Sequence, residues 1–254
     1  MIEMRRLLPV LVTAVALALA PAGADRAWAD AGCTAPPEAL EAAPLPGTNA
    51  AIARGKLRIL AVGSASVTAS VRSPEANWPE RLQAALQQRL GQTGVEVKSF
   101  GGRGTTAADH ARILAAEVPR FRPHLVVWQL GTVEAARGLP AEDMSDVVQE
   151  TAATLQAERG ERTDLILMDM QFSRFFRANA NVELYRDQLR VAAAASGAQL
   201  FSRWNVMMHW ADTDQLDLER ASREEQRALL HRLHSCLADA LASFILDGAR
   251  RSRQ

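Results

Sequence analysis

After residue 55, segments with the hydrophobic pattern of β-strands alternate with segments that have the hydrophobic periodicity of α-helices. Strand-like segments occupy residues 57–62, 95–100, 125–130, 165–169 and 199–201. Residues 125–130 are nearly continuous in apolar character, as expected of a central strand buried on both faces. Between the strand-like segments, apolar residues recur every three or four positions, as in amphipathic helices, and the clearest series is Trp78, Leu82, Leu86 and Leu90. This alternation predicts an α/β fold in which a parallel sheet of about five strands is covered by helices on both faces.

The same pattern sets the predicted organisation of the chain. Further helices are expected over residues 107–118, 141–157 and 181–195, and a last helix over residues 223–246 closes the domain. The segment before the first strand is rich in proline and reads as an extended leader lying over the domain. We therefore predict a leader at residues 30–54, one domain at residues 55–248 and a basic tail at residues 249–254.

The N-terminus has the pattern of a secretory signal. Arg5 and Arg6 precede an apolar run over residues 7–20, and a small-x-small cleavage pattern follows at residues 27–29. A membrane anchor is the alternative, but a run this short does not comfortably span roughly 30 Å of hydrocarbon. The sequence predicts a signal peptide at residues 1–29, no membrane span after its cleavage, and a periplasmic or secreted protein.

Charge and composition restrict the possible partners. The chain carries 29 basic and 29 acidic residues, and removal of the signal at residues 1–29 changes that balance by a single charge. A near-neutral surface argues against nucleic acid or anionic membrane as the partner. Hydrophobic residues make up 48% of the chain, enough for the core of one α/β domain.

The two cysteines, Cys33 and Cys236, lie near opposite ends of the exported chain. Both would meet an oxidising compartment, so we favour a disulfide between them. Two buried free thiols are the alternative, because cysteine is common in protein cores.

Candidate chemistry follows from the fold. In an open parallel sheet the functional crevice lies beyond the carboxyl ends of the strands. This rule selects residues 63–66, 101–106, 131–134 and the region after Phe201. The first of these is a small Gly/Ser turn of the kind that presents a serine nucleophile in hydrolytic α/β folds, but its middle residue is Ala65.

These segments resemble the sequence blocks of the SGNH/GDSL hydrolase family, and in particular an exported bacterial subgroup. The resemblance covers essentially the whole exported chain and implies a three-layer, flavodoxin-like fold. The matching segments are residues 63–67, 73–79, 128–132, 167–171, 207–210 and 236–238.

The resemblance also implies where the catalytic groups should be. Esters are hydrolysed by a nucleophilic serine and a histidine base held by a carboxylate, while amide donors stabilise the oxyanion. In this sequence the family's serine falls on Ala65 and its oxyanion asparagine falls on Val133, whereas the glycine is retained as Gly104. Counting back from Cys236 places the family's histidine on Ala228 and its aspartate on Glu225. The resemblance therefore predicts a catalytically inactive relative.

An active enzyme with relocated groups is the alternative. Ser64 or Ser66 would be the nucleophile, His231 or His234 the base, and Glu225 the residue that orients it. The simpler interpretation is turn capping for the serines and a solvated or partly buried helix position for the histidines.

The remaining polar candidates give weaker signals. Residues 101–106 have the character of a phosphate-binding loop but match no complete nucleotide motif. Arg103, Asp109 and Glu134 are groups that a ligand could meet, or ordinary surface charges. His209 and the following tryptophan are expected to pack structurally, and no cofactor or metal-ligand set is evident.

We therefore predict an exported binding or accessory protein of the cell envelope whose ligand is an unknown small molecule or envelope component, such as a glycan or an acylated molecule. The alternatives are an active acyl-ester hydrolase and an assembly protein that docks a partner through its leader or last helix.

Overall fold

The computed structural model describes residues 33–68, 77–157 and 162–253, so the predicted signal at residues 1–29 lies outside the described residues. The strands are β1 (Lys56–Gly63), β2 (Gly94–Gly101), β3 (Leu125–Gln129), β4 (Asp164–Met168) and β5 (Gln199–Phe201). A 3-10 turn at Pro37–Leu40 precedes the helices, which are α1 (Pro46–Ala53), α2 (Trp78–Leu90), α3 (Ala107–Phe121), α4 (Thr132–Arg137), α5 (Ala141–Ala157), α6 (Arg174–Asn179), α7 (Val182–Ser196), α8 (Arg203–Asp212) and α9 (Glu225–Arg251).

The five strands form one parallel sheet in the order β2-β1-β3-β4-β5. Every residue of β3 and β4 is buried, as their continuous apolar character predicts. Helix α2 packs against α9, and α5 packs against both α3 and α7. The predicted α/β fold is confirmed, and each predicted strand boundary lies within one residue of the observed one.

The edge strand β2 is covered along its open side by glutamine side chains of α2. The backbone N–H of Val95 donates to Oε1 of Gln87 at 3.0 Å, and that of Val97 donates to Oε1 of Gln83 at 2.8 Å. These bonds satisfy donors that an unprotected edge would offer to another chain.

The leader differs from the extended segment that its prolines suggested, because α1 begins within it. Pro46 supplies the fixed φ of a first helical position, so this proline starts a helix rather than preventing one. The leader also docks on α9, where Leu45 N donates to Gly248 O at 3.0 Å. A Cβ on Gly248 would lie 2.8 Å from the Leu45 side chain, so only glycine allows this approach.

Helix α9 continues to Arg251, through the first half of the segment predicted as a basic tail. In this last turn the guanidinium of Arg251 donates from Nε to Asp247 Oδ2 at 2.7 Å. Although α9 is long and apolar enough to cross a membrane, 56% of its most apolar window is buried inside the domain. Its apolar face is thus part of the core.

Cys33 and Cys236 form the predicted disulfide, with their Cα atoms 5.6 Å apart. The alternative of two free thiols is wrong. The bond joins the start of the described chain to the middle of α9.

Candidate functional site at the carboxyl edge of the sheet

The turn after β1 leaves Ala65 at the surface. A Cβ on Gly63 would lie 2.6 Å from Cγ2 of Val67 and 2.8 Å from the Cβ of a β3 residue, so glycine is required where the turn begins. A backbone bond of 3.0 Å from Val67 N to Ser64 O closes the turn. Ala65 is exposed, whereas Ser64 is buried and Ser66 is partly buried. The outward-facing side chain of this turn is therefore a methyl group.

Both flanking serines bind the carboxamide of Gln129, the last residue of β3. Gln129 Nε2 donates to Ser64 Oγ at 3.1 Å, and Ser66 Oγ donates to Gln129 Oε1 at 2.7 Å. Among the residues that the structure describes, neither hydroxyl is hydrogen-bonded to an imidazole. Ser64 and Ser66 thus tie the first turn to the neighbouring strand.

A buried arginine, Arg203, joins this network from the start of α8. Its Nη1 donates to Ser66 Oγ at 3.2 Å and to Gln129 Oε1 at 3.0 Å, and its Nη2 lies 3.5 Å from Gln171 Oε1. Arg203 is 1% exposed, and burial lowers its pKa to about 10, while the charge of Asp169 acts in the opposite direction. The side chain therefore stays charged at neutral pH. Arg203 is not among the residues predicted from the sequence, although it belongs to the region after β5 that the strand-end rule selected.

The second loop packs directly on the end of β1. Gly102 N donates to Gly63 O at 3.2 Å, and a Cβ on Gly101 would lie 1.7 Å from that same oxygen. Thr105 Oγ1 donates to Gly102 O at 2.8 Å and lies 2.8 Å from His110 Nε2. Burial lowers the pKa of His110 to about 4. Within the described ranges its Nδ1 has no hydrogen-bond partner, so no carboxylate orients this imidazole for base catalysis.

Gly104 lies in the left-handed region at a φ of 79°. A Cβ there would lie 2.8 Å from Arg137 Nη2, so the loop and α4 approach closely. Arg103 is exposed. Asp109 has a local role, because its Oδ2 accepts from Thr106 N at 2.9 Å in a capping box that begins α3.

The third loop is held by Glu134, which faces inward rather than toward a ligand. Its carboxylate is 4% exposed and accepts from Ala107 N at 2.7 Å and from Gly131 N at 3.2 Å. These bonds join the starts of α3 and α4. Val133, where the family asparagine was expected, is partly exposed in the first turn of α4.

His231 and His234 lie in a positively charged environment between α2, α8 and α9. Arg81 Nη2 lies 3.1 Å from His231 Nδ1, and Arg81 Nη1 donates to Ser235 Oγ. His234 is buried, and burial together with the charges of Arg203, Arg81 and His231 lowers its pKa to about 3. Positive neighbours oppose the protonation that a general base must undergo. This environment does not suit His234 for base catalysis.

Glu225 and Ala228 lie in the exposed first turn of α9. The Glu225 carboxylate accepts from Ser222 Oγ at 2.7 Å and from Ser222 N at 3.0 Å, and these bonds help to start the helix. Glu225 makes no hydrogen bond to His231 or His234 in the described structure. The predicted relay is therefore not brought together.

Asp169 fixes the end of β4 to the start of α8 and so positions Arg203. Its Oδ1 accepts from Trp204 N at 2.8 Å, and its Oδ2 accepts from Ser202 Oγ at 3.0 Å and from Arg186 Nε at 3.3 Å. Complete burial raises the pKa of Asp169, while these donors act in the opposite direction.

The remaining points from the sequence concern His209 with its neighbouring tryptophan and whether a metal ion could bind. Trp210, next to the partly exposed His209, is buried, and its Nε1 donates to Thr34 O at 3.1 Å. In the part of the chain that the structure describes, no group of three His, Cys, Asp or Glu side chains could hold a metal ion.

Comparison with known proteins gives one family and several related folds. The model of the non-GDSL lipase-like family matches residues 32–251. A search of curated protein sequences finds no significant match. Similar solved structures include LAE5, an α/β hydrolase enzyme from the metagenome of Lake Arreo, Spain, at 17% identity and a TM-score of 0.59, covering 76% of this chain and 96% of that chain.

Two further structures are similar over comparable lengths. Axe2, an acetylxylan esterase from Geobacillus stearothermophilus, has 15% identity and a TM-score of 0.58, covering 74% of this chain and 94% of that chain. A protein of the G-D-S-L family from Desulfitobacterium hafniense DCB-2 has 17% identity and a TM-score of 0.53, covering 74% and 98%. At these identities the likeness shows a common fold.

Proposed function

The chain belongs to the non-GDSL lipase-like family and has the SGNH/GDSL hydrolase fold, and we propose that it is an exported member that binds a component of the cell envelope without hydrolysing it. The observation that carries the proposal is Ala65. The residue that the first turn exposes has no group able to attack an ester carbonyl.

The neighbouring groups support the loss of hydrolysis. Ser64 and Ser66 are engaged with Gln129, and Ser66 also receives a bond from Arg203. Removing the nucleophile of a serine hydrolase lowers kcat by about 10⁶-fold, and removing one oxyanion donor lowers it by about 10²–10³-fold. Val133 cannot replace an asparagine donor, so both losses apply here.

Export is supported by the disulfide between Cys33 and Cys236, because such bonds persist in oxidising compartments. The predicted signal at residues 1–29 is consistent with this location. We propose that the mature protein begins after Ala29 and acts in the periplasm or outside the cell.

The ligand class is proposed from the fold and the charge. Axe2 is an acetylxylan esterase, which makes a glycan or an acylated molecule a reasonable ligand for a binding protein with the same fold. The balanced charge of the chain gives no support for nucleic acid. In this role the protein would be an accessory protein of the envelope.

We expect the mature protein to remain unlabelled by a fluorophosphonate probe, because such probes react with activated serines and the first turn exposes alanine. The measurement is in-gel fluorescence after incubation of the purified protein with the probe. A competent serine esterase at the same concentration is the positive control.

Ser64→Ala and Ser66→Ala variants make this experiment decisive. If the wild-type protein were labelled and one variant were not, the missing serine would be a relocated nucleophile. The protein would then be an active acyl-ester hydrolase, and the binding proposal would be rejected.

A further inference from the structure

Two arginines near the ends of β4 and β5 are almost completely buried, but only Arg186 has anionic partners. Arg186 is 6% exposed and contacts Asp169 at 3.3 Å and Glu183 at 2.8 Å. It also donates from Nη2 to Asn205 Oδ1 at 2.7 Å. This is the usual way in which a protein accommodates a buried cation.

Arg203 is buried more deeply and has neutral partners. Its Nη1 is held by Ser66 and Gln129, and in the described part of the chain no carboxylate lies within salt-bridge distance of its guanidinium. Its Nε is buried without a hydrogen-bond partner among the described residues, and Nη2 makes only the 3.5 Å contact to Gln171. The Nε and Nη2 edge, with which a guanidinium binds an oxyanion through two parallel bonds, therefore lacks a close acceptor among the described residues.

The neighbouring acceptor does not require this arginine. Ser66 Oγ already donates to Gln129 Oε1 at 2.7 Å, so that buried acceptor would stay satisfied without Arg203. The charge of Asp169 stabilises the guanidinium from a distance, but Arg203 has no ion-pair contact among the described residues. A buried charge that lacks such a contact is destabilising, so hydrogen bonding to Ser66 and Gln129 does not by itself account for a guanidinium at this position.

The surroundings of Arg203 also favour an anion. His234 lies close enough to Arg203 for the guanidinium charge to lower the pKa of the imidazole, so His234 brings no negative charge to this place. Positive charges and N–H donors in a partly buried place attract an acceptor group. Ser66 and Gln171 are partly exposed and Ala65 is exposed, so the guanidinium lies one side chain beneath the surface.

We propose that Arg203 anchors an anion-binding subsite, in which its Nε and Nη2 receive the carboxylate or phosphate group of the ligand next to Ser66. The inference rests on the proposed binding function and specifies the ligand further. The ligand carries an oxyanion close to the part of the molecule that contacts Ala65.

The test is anion-dependent stabilisation of the mature protein. Thermal unfolding is followed by tryptophan fluorescence at pH 7 in sodium phosphate or sodium acetate, against sodium chloride of equal ionic strength. Both oxyanions are compared because a phosphate-bearing and a carboxylate-bearing ligand would each use this site, and the stronger response identifies the group. We expect phosphate or acetate to raise the unfolding midpoint of the wild-type protein above its value in chloride.

Arg203→Met should unfold at a higher temperature than the wild type in chloride, because a buried charge without an ion-pair contact is replaced by an apolar side chain. The variant should also lose the response to the oxyanions. Arg203→Lys should fold even if Arg203→Met does not, and should bind the preferred oxyanion at least about tenfold more weakly, because it lacks the planar pair of donors. The matched control is Arg89→Met, since Arg89 pairs with the exposed Asp239 at 3.0 Å and should not affect the anion response.

An oxyanion response that is absent from the wild type, or equal in Arg203→Lys and the wild type, overturns the proposal. So does a lower midpoint of Arg203→Met in chloride combined with an unchanged response to the oxyanions. These outcomes are independent of fluorophosphonate labelling, so failure of the anion subsite can be distinguished from failure of the proposed function.

Discussion

Lowering the pH from 7 to 5 is expected to reduce the free energy of unfolding by roughly 3–4 kcal/mol through two buried histidines alone. Burial lowers the pKa of His110 to about 4 and, with the charges around it, that of His234 to about 3. Each imidazole in an unfolded chain titrates near about 6.5. The folded protein therefore excludes protons that the unfolded chain takes up.

The sign follows from this difference in proton binding. Well above the unfolded pKa of about 6.5, both imidazoles are neutral in both states, so they add no pH dependence there. As the pH falls below 6.5, the unfolded chain binds protons at these two positions while the folded protein does not, and the unfolded state gains stability. Each histidine should contribute about 1.4 kcal/mol per pH unit until the pH approaches its folded pKa.

The measurement is urea unfolding at a series of pH values between 5 and 7. His234→Gln and His110→Gln should each remove about half of the histidine contribution to the pH slope, whatever their effect on stability at pH 7. His209→Gln is the matched control, because that side chain is partly exposed on α8. Equal slopes in all four proteins would show that the two imidazoles are not held neutral in the fold.

Buried carboxyls modify the wild-type slope but not the comparison among variants. Burial raises the pKa of Asp164 and Asp169, so their protonation favours the folded state as the pH falls. Hydrogen bonds from Thr106 hold the pKa of Asp109 below its usual value, so its contribution is lost only at lower pH. The difference in slope between wild type and a histidine variant therefore isolates the imidazole.

The features that could be predicted are those that depend on residues close to one another in the sequence. Apolar strand-like segments and helical periodicity follow from burial, and together they located the five strands of the described sheet. The position of Ala65 could also be predicted, because Gly63 fixes the turn two residues away. In the same way, Gly131 and Thr132 identified Val133 as the position of the family's asparagine, although the short helix α4 that contains Val133 was not predicted.

Contacts between segments that are distant in the sequence could not be predicted in this way. Arg203 meets Ser66 across 137 positions and Gln129 across 74 positions, and no local pattern encodes those pairings. The strand-end rule indicated the region but not the residue. Likewise, His234 shares a helix face with His231, yet its burial depends on how α9 packs against α2 and other distant parts of the chain.

Removing the disulfide is expected to lower the free energy of unfolding by about 2–5 kcal/mol. The bond closes a loop of 203 residues, so the chain-entropy account places the effect toward the upper end of that range. For a domain of this size the unfolding midpoint should fall by roughly 4–20 °C. The experiment compares thermal unfolding of the wild type with the double variant Cys33→Ala, Cys236→Ala, which avoids leaving a reactive thiol.

Loss of the disulfide should also affect the folded state, because the residue next to Cys33 makes contacts that the bond helps to hold. Beside Cys33, Thr34 accepts from Trp210 Nε1 at 3.1 Å and binds Gln215, so the cross-link holds the start of the leader against α8. Reductant should destabilise the wild type to the level of the double variant and leave the double variant unchanged. Free thiols are measured after the experiment to show that the disulfide was reduced. If thiols are detected and the wild-type midpoint is the same with and without reductant, the disulfide does not make the expected contribution to stability.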